Sequence, residues 1–341
     1  MKVAAFRRFG GPEVLEYMNL PTPEPRAGNV VIKVLASGVN RLEHYLREGS
    51  VCTSIPLPHV LGSDAAGEIA AVGAGVGEFK PGDRVVPMPG YPLEAHDDRH
   101  EPLSAAPSYA IGGIVKWGTY AEYVEVPARW VLRDDTGLKP EQLATLPMVL
   151  VTAVRSVKVV GAVKQGDRVL IHAGASGTGT MNIQVARALG ARVATTVQGE
   201  QQAKLASSLG AELVIDAHAR DFVQDVRDWT DGRGADVTID NLGGDILQKS
   251  IDATRVSGTI VAMGFVAGVE VRFHIRNFFF THKRLIGTLM GDVADFRWGL
   301  QQVRAGKIRP LLDRALPLAE AAEAHRLIAA NAVNGNLVLK P

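Results

Sequence analysis

The chain has 341 residues, of which 46% are hydrophobic and 21% charged, and its formal net charge is +1. This balance is typical of a globular protein, and it predicts no nucleic acid or anionic membrane as a partner. No run approaches the roughly 18 apolar residues of a membrane span, and the single cysteine, Cys52, excludes an intrachain disulfide and favours a cytoplasmic location.

The first third of the chain is strand-like. Residues 1–9 predict a strand and lack the apolar run of a secretory signal. Short apolar runs at 30–34, 67–72 and 120–126 are separated by Pro and Gly clusters, which predicts an antiparallel barrel or sandwich with few helices. The glycines at 73–77 lie between two strand-like segments with no helix after them, so we interpret them as a hairpin turn.

The pattern changes near residue 150. Helices are predicted at 138–146 and 149–160, after which strands and helices alternate. Such alternation indicates a parallel sheet covered on both faces. The predicted strands are 168–172, 192–197, 211–216, 235–241, 258–263 and 285–290, and the helices are 178–189, 200–209, 222–229 and 245–254. Two helices, 294–305 and 318–331, and a strand, 335–340, complete the chain.

One turn in this region has the composition of a phosphate-binding loop. A strand precedes it and a helix follows, and it contains Gly174, Ser176, Gly177, Thr178 and Gly179. Small residues allow the backbone to approach a pyrophosphate, and the helix start offers free N–H groups and a positive dipole end. Although its spacing departs from G-x-G-x-x-G, the turn predicts a nicotinamide dinucleotide site, with a purely structural turn as the alternative.

The end of the second strand bears on the choice of dinucleotide. An acidic residue there would bind the ribose hydroxyls of NAD. The segment 195–199 ends in Gln198 and Gly199 without a carboxylate, and Glu200 is already in the next helix. No Arg or Lys lies in the turn either, and Lys204 is one helical turn further on. This local charge pattern favours NADP(H) over NAD(H), with Gln198 as a contact.

Five motifs together resemble the medium-chain dehydrogenase/reductase superfamily, and within it the zinc-free, zeta-crystallin-like quinone oxidoreductases. They lie at 11–16, 62–67, 81–85, 118–123 and 173–179. The resemblance implies an α/β fold: a GroES-like, mostly-β catalytic domain formed by 1–150 and 291–341, and a doubly wound Rossmann domain at 151–290.

The chain departs from the zinc-type relatives at their metal ligands. Asn40, Ser63 and Met148 stand where the resemblance places Cys, His and Cys, and Asp64 alone cannot hold a catalytic zinc. The segment 87–116, which matches the structural-zinc lobe, has no cysteine. Its 96–100 run contains two histidines and two aspartates, which we interpret as a solvated polar loop. No metal is therefore expected.

Loss of zinc favours an acceptor that spreads negative charge over a conjugated system. The predicted function is zinc-independent reduction of a quinone or an α,β-unsaturated carbonyl by hydride transfer from NADPH. An alcohol or aldehyde dehydrogenase and a non-catalytic NADPH-binding protein are the alternatives.

The resemblance also implies individual site residues. Asn40 and Tyr45 fall at the substrate mouth, where the amide would bind a carbonyl oxygen and the phenol would donate to an oxyanion. Asp64 would orient Asn40 or Arg41. For Tyr45 a partly buried aromatic in a helix at 41–47 is the alternative; for Asp64, an ordinary hydrogen-bonded carboxylate. Glu43 replaces an acidic residue that is common in this motif, and a solvated charge on the helix is an equally good interpretation.

Further positions are expected near the cofactor. Thr152 matches a position near the nicotinamide, with a helix-interior threonine that bonds its own backbone as the alternative. Asn241, Gly264 and Phe265 follow sheet strands, at the edge where such folds bind ligands. Asn336 matches a position near the cofactor phosphate.

The resemblance predicts a homodimer paired through an edge strand at 269–273. Phe278, Phe279 and Phe280 are expected in the core.

Overall fold

The computed structural model describes all 341 residues, which divide into two compact units. The first contains Met1–Val149, Asp292–Phe296 and Pro310–Pro341; the second contains Leu150–Gly291 and Arg297–Arg309. One unit is mostly β and the other is built on a parallel sheet, which confirms the predicted α/β fold class. The assignment of catalytic and cofactor-binding roles to 1–150 with 291–341 and to 151–290 stays a prediction.

The chain forms 18 strands and ten α-helices. The strands are β1 (Lys2–Phe6), β2 (Leu15–Asn19), β3 (Asn29–Val39), β4 (His59–Val60), β5 (Asp64–Val72), β6 (Arg84–Pro87), β7 (Gly90–Pro92), β8 (Tyr109–Ile111), β9 (Tyr123–Pro127), β10 (Val131–Arg133), β11 (Arg168–Ile171), β12 (Arg192–Val197), β13 (Leu213–Asp216), β14 (Ala235–Asp240), β15 (Thr254–Ala262), β16 (Arg284–Gly287), β17 (Leu312–Pro317) and β18 (Asn336–Lys340). The helices are α1 (Arg41–Glu48), α2 (Pro140–Leu143), α3 (Pro147–Ala153), α4 (Gly177–Ala188), α5 (Gly199–Ser208), α6 (Phe222–Trp229), α7 (Gly244–Ala253), α8 (Ile275–Phe280), α9 (Val293–Arg304) and α10 (Ala321–Ala329).

The first unit is organised around a seven-stranded sheet. Its order is β10-β6-β5-β3-β18-β17, with β9 also paired to β3, and every pair is antiparallel except β17 with β18. A three-stranded sheet, β2-β1-β4, lies in the same unit. Their apolar faces bury a core that includes Phe6, Leu61, Tyr120 and Leu337. The predicted turn at 73–77 does lie in the connection between antiparallel β5 and β6.

The second unit contains the predicted parallel sheet. Its six strands have the order β13-β12-β11-β14-β15-β16, and all are parallel. The chain leaves β11 in one direction to β12 and β13, and in the other to β14, β15 and β16. This reversal makes the carboxyl ends of β11 and β14 the topological switch point, where ligands bind in open α/β sheets.

Two predicted helices differ from the observed ones. The helix expected at 138–146 shortens to Pro140–Leu143. The helix expected at 149–160 begins at Pro147 as an α-helix and continues as a π-helix over Val154–Val160. No helix of the structure has the length and apolar character needed to cross a membrane.

The expected edge strand at 269–273 is wrong for the single chain, because this segment forms no strand. β16 is the last strand of the sheet, and only an isolated bridge joins Gly243 to Gly268. A strand needs a neighbour for its backbone hydrogen bonds, and the alternating apolar pattern cannot provide one. The phenylalanine prediction is also wrong in part. Phe278 packs partly on a buried cluster, but Phe279 and Phe280 are 56% and 66% exposed.

Candidate functional site

The glycine loop of the second unit connects β11 to α4. Ser176 is the N-cap of α4: its hydroxyl accepts a hydrogen bond from Gly179 N at 3.0 Å and donates one to Ala173 O at 2.8 Å. The loop is also tied to β12, because Gly174 N donates to Thr196 O at 2.9 Å. The remaining N–H groups of the first helical turn have no intrahelical acceptor. This places an anion-binding helix start at the end of the first sheet strand.

Two of the glycines are required by close packing. A Cβ on Gly174 would overlap the Thr195 side chain, and one on Gly179 would overlap the carbonyl of Ala173. Ala173 itself has a φ of 51°, which lies in the left-handed region. The loop backbone is thus fixed in a tight conformation, and its geometry fits the pyrophosphate of a dinucleotide.

The end of β12 differs from the sequence expectation in one respect. Gln198 caps α5, and Gly199 has a φ of 79° with open space where a Cβ would stand. The strand end carries no carboxylate of its own. However, the neighbouring strand β13 ends in Asp216, whose Oδ2 accepts a hydrogen bond from Gly199 N at 3.2 Å. A carboxylate therefore does reach this turn.

The ends of β14 and β15 lie together. A Cβ on Gly264 would overlap the backbone of Asn241, so these two predicted residues are in direct contact. The side-chain Oδ1 of Asn241 is buried without a hydrogen-bond partner, and Phe265 is 45% exposed. The Thr152 hydroxyl contacts Met290 Sδ at 3.8 Å. An unpaired amide oxygen beside an exposed aromatic at a sheet edge fits a ligand contact.

A series of buried hydrogen bonds connects residues at the ends of the sheet strands. Asp240 accepts from the backbone N–H groups of Leu242 and Gly243, at 2.9 and 2.8 Å, and from Ser250 Oγ at 2.6 Å. His172 contacts Ser250 Oγ through Nε2 at 2.9 Å and Thr196 Oγ1 through Nδ1 at 3.1 Å. Burial lowers the pKa of His172. These hydrogen bonds connect the ends of β11, β12 and β14 to α7, which fits a structural role for His172.

The first unit contains a buried polar cluster at the start of α1. It consists of Asn40, Glu43, Ser63 and Asp64, which are 9%, 3%, 3% and 1% exposed. Asn40 Nδ2 donates to Asp64 Oδ2 at 3.0 Å and to Ser63 Oγ at 3.2 Å. Asp64 Oδ1 accepts from Met148 N at 2.9 Å. The structure therefore brings the predicted Asn40 and Asp64 into contact.

Glu43 completes this cluster from the third position of α1. One carboxylate oxygen accepts from Asn40 N at 2.5 Å, as in a capping box, and the other accepts from Ser63 Oγ at 2.9 Å. Burial, with the charge of Asp64 as the second cause, raises the pKa of Glu43 to about 8. Burial likewise raises the pKa of Asp64 to about 7. Two carboxyl groups share one desolvated site, so near neutral pH the pair retains a proton.

This cluster does not have the donor set of a catalytic zinc site. At two positions of the zinc ligands, Asn40 and Ser63, it offers an amide and a hydroxyl, and each is hydrogen-bonded to a neighbouring carboxyl group. Met148 takes part through its backbone N–H. Catalytic zinc is held by imidazole, thiolate and carboxylate ligands, and the structure brings together no group of three His, Cys, Asp or Glu side chains that could bind a metal.

The remaining predicted residues lie apart from these contacts. Tyr45 is on α1, one turn beyond Asn40, with its ring 5.5 Å from that of His44. Asn336 begins β18, where its amide approaches Leu311 O at 3.4 Å. In the polar loop at 96–100, Asp97 is buried and accepts from Ser108 N at 2.9 Å, so this aspartate stabilises the loop.

Sequence reasoning missed three residues of these sites. For Glu43 the sequence supports a solvated charge equally well, although its spacing from Asn40 is that of a capping box. For Ser63 the sequence indicates only that a zinc ligand is lost. Asp216 was missed because its contact with Gly199 joins the ends of two different strands, and only the parallel pairing of β12 with β13 brings them together.

A chain that contains a mostly-β unit and a parallel-sheet unit with a glycine loop at its switch point has the architecture of a dinucleotide-dependent oxidoreductase. Two family models match the chain: residues 26–136 match the alcohol dehydrogenase GroES-like domain, and residues 177–305 match the zinc-binding dehydrogenase model. The chain belongs to the medium-chain dehydrogenase/reductase superfamily.

Relatives of known name are similar over nearly the whole chain. The quinone oxidoreductase of Pseudomonas aeruginosa is 30% identical over 98% of both chains. The 2-haloacrylate reductase of a Burkholderia species is 31% identical over 99% of this chain and 98% of the relative. The crystal structure of an NAD-dependent alcohol dehydrogenase matches with a TM-score of 0.93 and 34% identity over the full length of both chains.

Proposed function

We propose that the protein reduces a quinone or an α,β-unsaturated carbonyl without zinc, with a reduced nicotinamide dinucleotide as the hydride donor. The observation that carries this proposal is the buried cluster of Asn40, Glu43, Ser63 and Asp64, in which an amide and a hydroxyl stand at zinc-ligand positions and hydrogen-bond to two carboxyl groups. Two relatives support the acceptor class by name, a quinone oxidoreductase and a 2-haloacrylate reductase.

The cofactor's contribution is a hydride, and the reaction also consumes one proton. We infer that the glycine loop, with Gly174, Ser176, Gly177, Thr178 and Gly179, binds the pyrophosphate. Gln198 lies beside the adenosine, and Thr152, Asn241, Gly264 and Phe265 are assigned to the nicotinamide. Asn336 is assigned to the cofactor phosphate on the family resemblance alone.

The choice between NADH and NADPH is a separate question. The strand-end composition favours NADPH, because β12 has no carboxylate at its end. The carboxylate of Asp216 at Gly199 N acts against a 2′-phosphate in the same turn. The present proposal therefore requires only a reduced nicotinamide dinucleotide.

On the acceptor side, the roles follow from the hydrogen bonds. Both N–H groups of Asn40 already donate, to Ser63 and to Asp64, so the amide positions the cluster and does not donate to substrate. Tyr45 is then the candidate donor to the acceptor oxygen as negative charge develops there. The Glu43–Asp64 pair retains a proton near neutral pH. A conjugated acceptor delocalises its charge, so hydrogen-bond donors suffice without a Lewis acid.

The experiment is a panel of acceptors with NADH and NADPH, with and without a chelator, on protein whose metal content is measured. We expect turnover of quinones or enones that the chelator does not change. Tyr45→Phe should lower kcat about 10- to 100-fold, and the exposed Tyr17→Phe should leave it unchanged. Activity confined to simple alcohols and aldehydes and abolished by the chelator would contradict the proposal. The similar NAD-dependent alcohol dehydrogenase structure makes that the second candidate function.

We also propose a homodimer in the cytoplasm. The segment that forms no strand, 269–273, and the adjoining helix α8 expose Val269, Ile275, Phe279 and Phe280, which are 78%, 63%, 56% and 66% exposed. So many neighbouring apolar side chains favour an interface between two copies. Light scattering that gives the monomer mass would contradict it.

A further inference from the structure

Asp216 is the last residue of β13, and the parallel register pairs it with Val197, the last residue of β12. Its two carboxylate oxygens bond in different places, one in the segment that follows β13 and the other in the turn after the neighbouring strand β12. Oδ2 accepts from Gly199 N at 3.2 Å, and Oδ1 accepts from His218 N at 3.0 Å. The carboxylate therefore stands at the first residue of α5, the helix that follows the second strand of the nucleotide-binding sheet.

This carboxylate is charged at neutral pH. The backbone hydrogen bond from His218 is the main cause that lowers the pKa of Asp216, and the bond from Gly199 acts in the same sense. The charged side chain that acts on Asp216 is that of His218, which also lowers its pKa. Lys204, the single basic residue of α5, pairs with Glu200 at 2.7 Å, and Arg220 pairs with Asp225 at 2.6 Å. Both of these cations are thus paired with other carboxylates.

The turn also leaves space for a ligand. Gly199 has a φ of 79°, and a Cβ built on it would meet nothing within 4 Å. In sheets of this type the end of the second strand lies beside the adenosine ribose, and an acidic residue there accepts hydrogen bonds from the ribose hydroxyls. A carboxylate at the helix start would repel a phosphate on the 2′ oxygen, since both are anions competing for one cluster of N–H groups.

We propose that Asp216 is the specificity-determining residue of the cofactor site, supplied by the third strand instead of the second, and that it selects NADH over NADPH. This inference rests on the nicotinamide-dependent function proposed above. It replaces the preference drawn from the composition of the β12 end, because that composition says nothing about a side chain that arrives from β13.

The test measures binding, not turnover. The protein is titrated with NADH and with NADPH in the absence of acceptor, by calorimetry, and the ratio of the two Kd values is the readout. The wild type should bind NADH roughly tenfold or more tightly than NADPH, and Asp216→Asn should bring the ratio close to one. Because the repulsion is screened by salt, the wild-type ratio should also narrow between low and high ionic strength.

A matched control is Asp221→Asn. Like Asp216, Asp221 has a carboxylate that accepts a hydrogen bond from a backbone N–H at a helix start, that of Val223 at 3.2 Å, but it is the N-cap of α6. Its replacement should leave the Kd ratio unchanged. If Asp216 merely caps α5, its replacement would weaken both cofactors equally and the ratio would not move.

The outcomes separate the two proposals. A wild type that prefers NADPH, or a ratio that Asp216→Asn does not change, overturns the inference. Selective NADH binding that depends on Asp216, without reduction of any acceptor, sustains the inference and overturns the acceptor class. Binding of neither dinucleotide overturns both.

Discussion

The two candidate sites use different parts of the chain. In the glycine loop the backbone carries the site: Gly174 and Gly179 contribute close packing, and Ser176 caps the helix start. In the polar cluster at α1 the side chains carry it, since Asn40, Glu43, Ser63 and Asp64 bond chiefly to one another. A site formed by the backbone requires that residues such as glycine carry no side chain. A site formed by side chains instead depends on their protonation and on the geometry of their hydrogen bonds.

This difference predicts two kinds of sensitivity. The loop should respond to added volume and hardly at all to pH. The cluster should tolerate small changes of volume but respond to pH, because its two carboxyl groups have raised pKa values. Variants that test the two responses separately can therefore show whether the two sites differ in this way.

The largest effect is expected for Gly179→Ala. The added Cβ would overlap the carbonyl of Ala173 and force the loop open. Dinucleotide binding should weaken by about 100-fold or more, because the N–H groups lose their common orientation. Calorimetric titration measures this, with circular dichroism as the check on folding.

Gly287→Ala is the matched control, since a Cβ on Gly287 would meet nothing within 4 Å. Its binding should stay near that of the wild type. A Gly179→Ala protein that is folded and binds normally would show that the loop is only a structural turn.

The next effect is the pH dependence of stability, tested with Glu43→Gln. A carboxyl group whose folded-state pKa is raised binds its proton more tightly in the folded protein. Its contribution is therefore fully present below about pH 4.5 and is lost as pH rises toward about 8. Removing Glu43 should flatten this loss by about 2 kcal/mol between pH 5 and pH 8, which allows for its coupling to Asp64.

The measurement is the free energy of unfolding by denaturant, for wild type and variant, at several pH values. The difference between the two proteins is the readout, because buried histidines such as His325, whose pKa is lowered to about 3, act in the opposite sense. Glu43 is faced by Asp64 on β5 and by Tyr120, and Arg47 lies on its own helix. Glu16→Gln, on the exposed strand β2, should leave the pH slope unchanged. Equal slopes for wild type and Glu43→Gln would refute the shared proton.

The sequence allowed much of the first site and less of the second to be predicted. The loop at 174–179 and the alternation around it are local patterns, so the parallel sheet and the helix start could be inferred from composition and period. Asn40 and Asp64 were identified through family resemblance, but their mutual contact was only one of several expectations. The burial of Glu43 depends on its contact with Ser63 and Asp64 at the start of β5, which no local pattern records.

Two other failures have the same physical origin. Asp216 acts at a turn 17 residues away, because parallel pairing aligns the ends of β12 and β13. The segment 269–273 alternates like a strand, yet within one chain it has no partner for its backbone. Contacts between elements, and contacts with a second copy, are not encoded in the period of one segment.

The smallest effect is expected for Ser63→Ala, which tests the hydrogen bonds within the cluster. The Ser63 hydroxyl donates to Glu43 and accepts from Asn40, so its loss should destabilise the protein by about 1 kcal/mol. It should also move the pH window upward, since Glu43 loses a hydrogen bond that lowers its pKa. Ser37→Ala provides the contrast: its buried hydroxyl bonds only to Thr119, at 2.7 Å. That variant should lose similar stability at every pH, and an identical pH response of the two variants would mean that Ser63 does not communicate with the carboxyl pair.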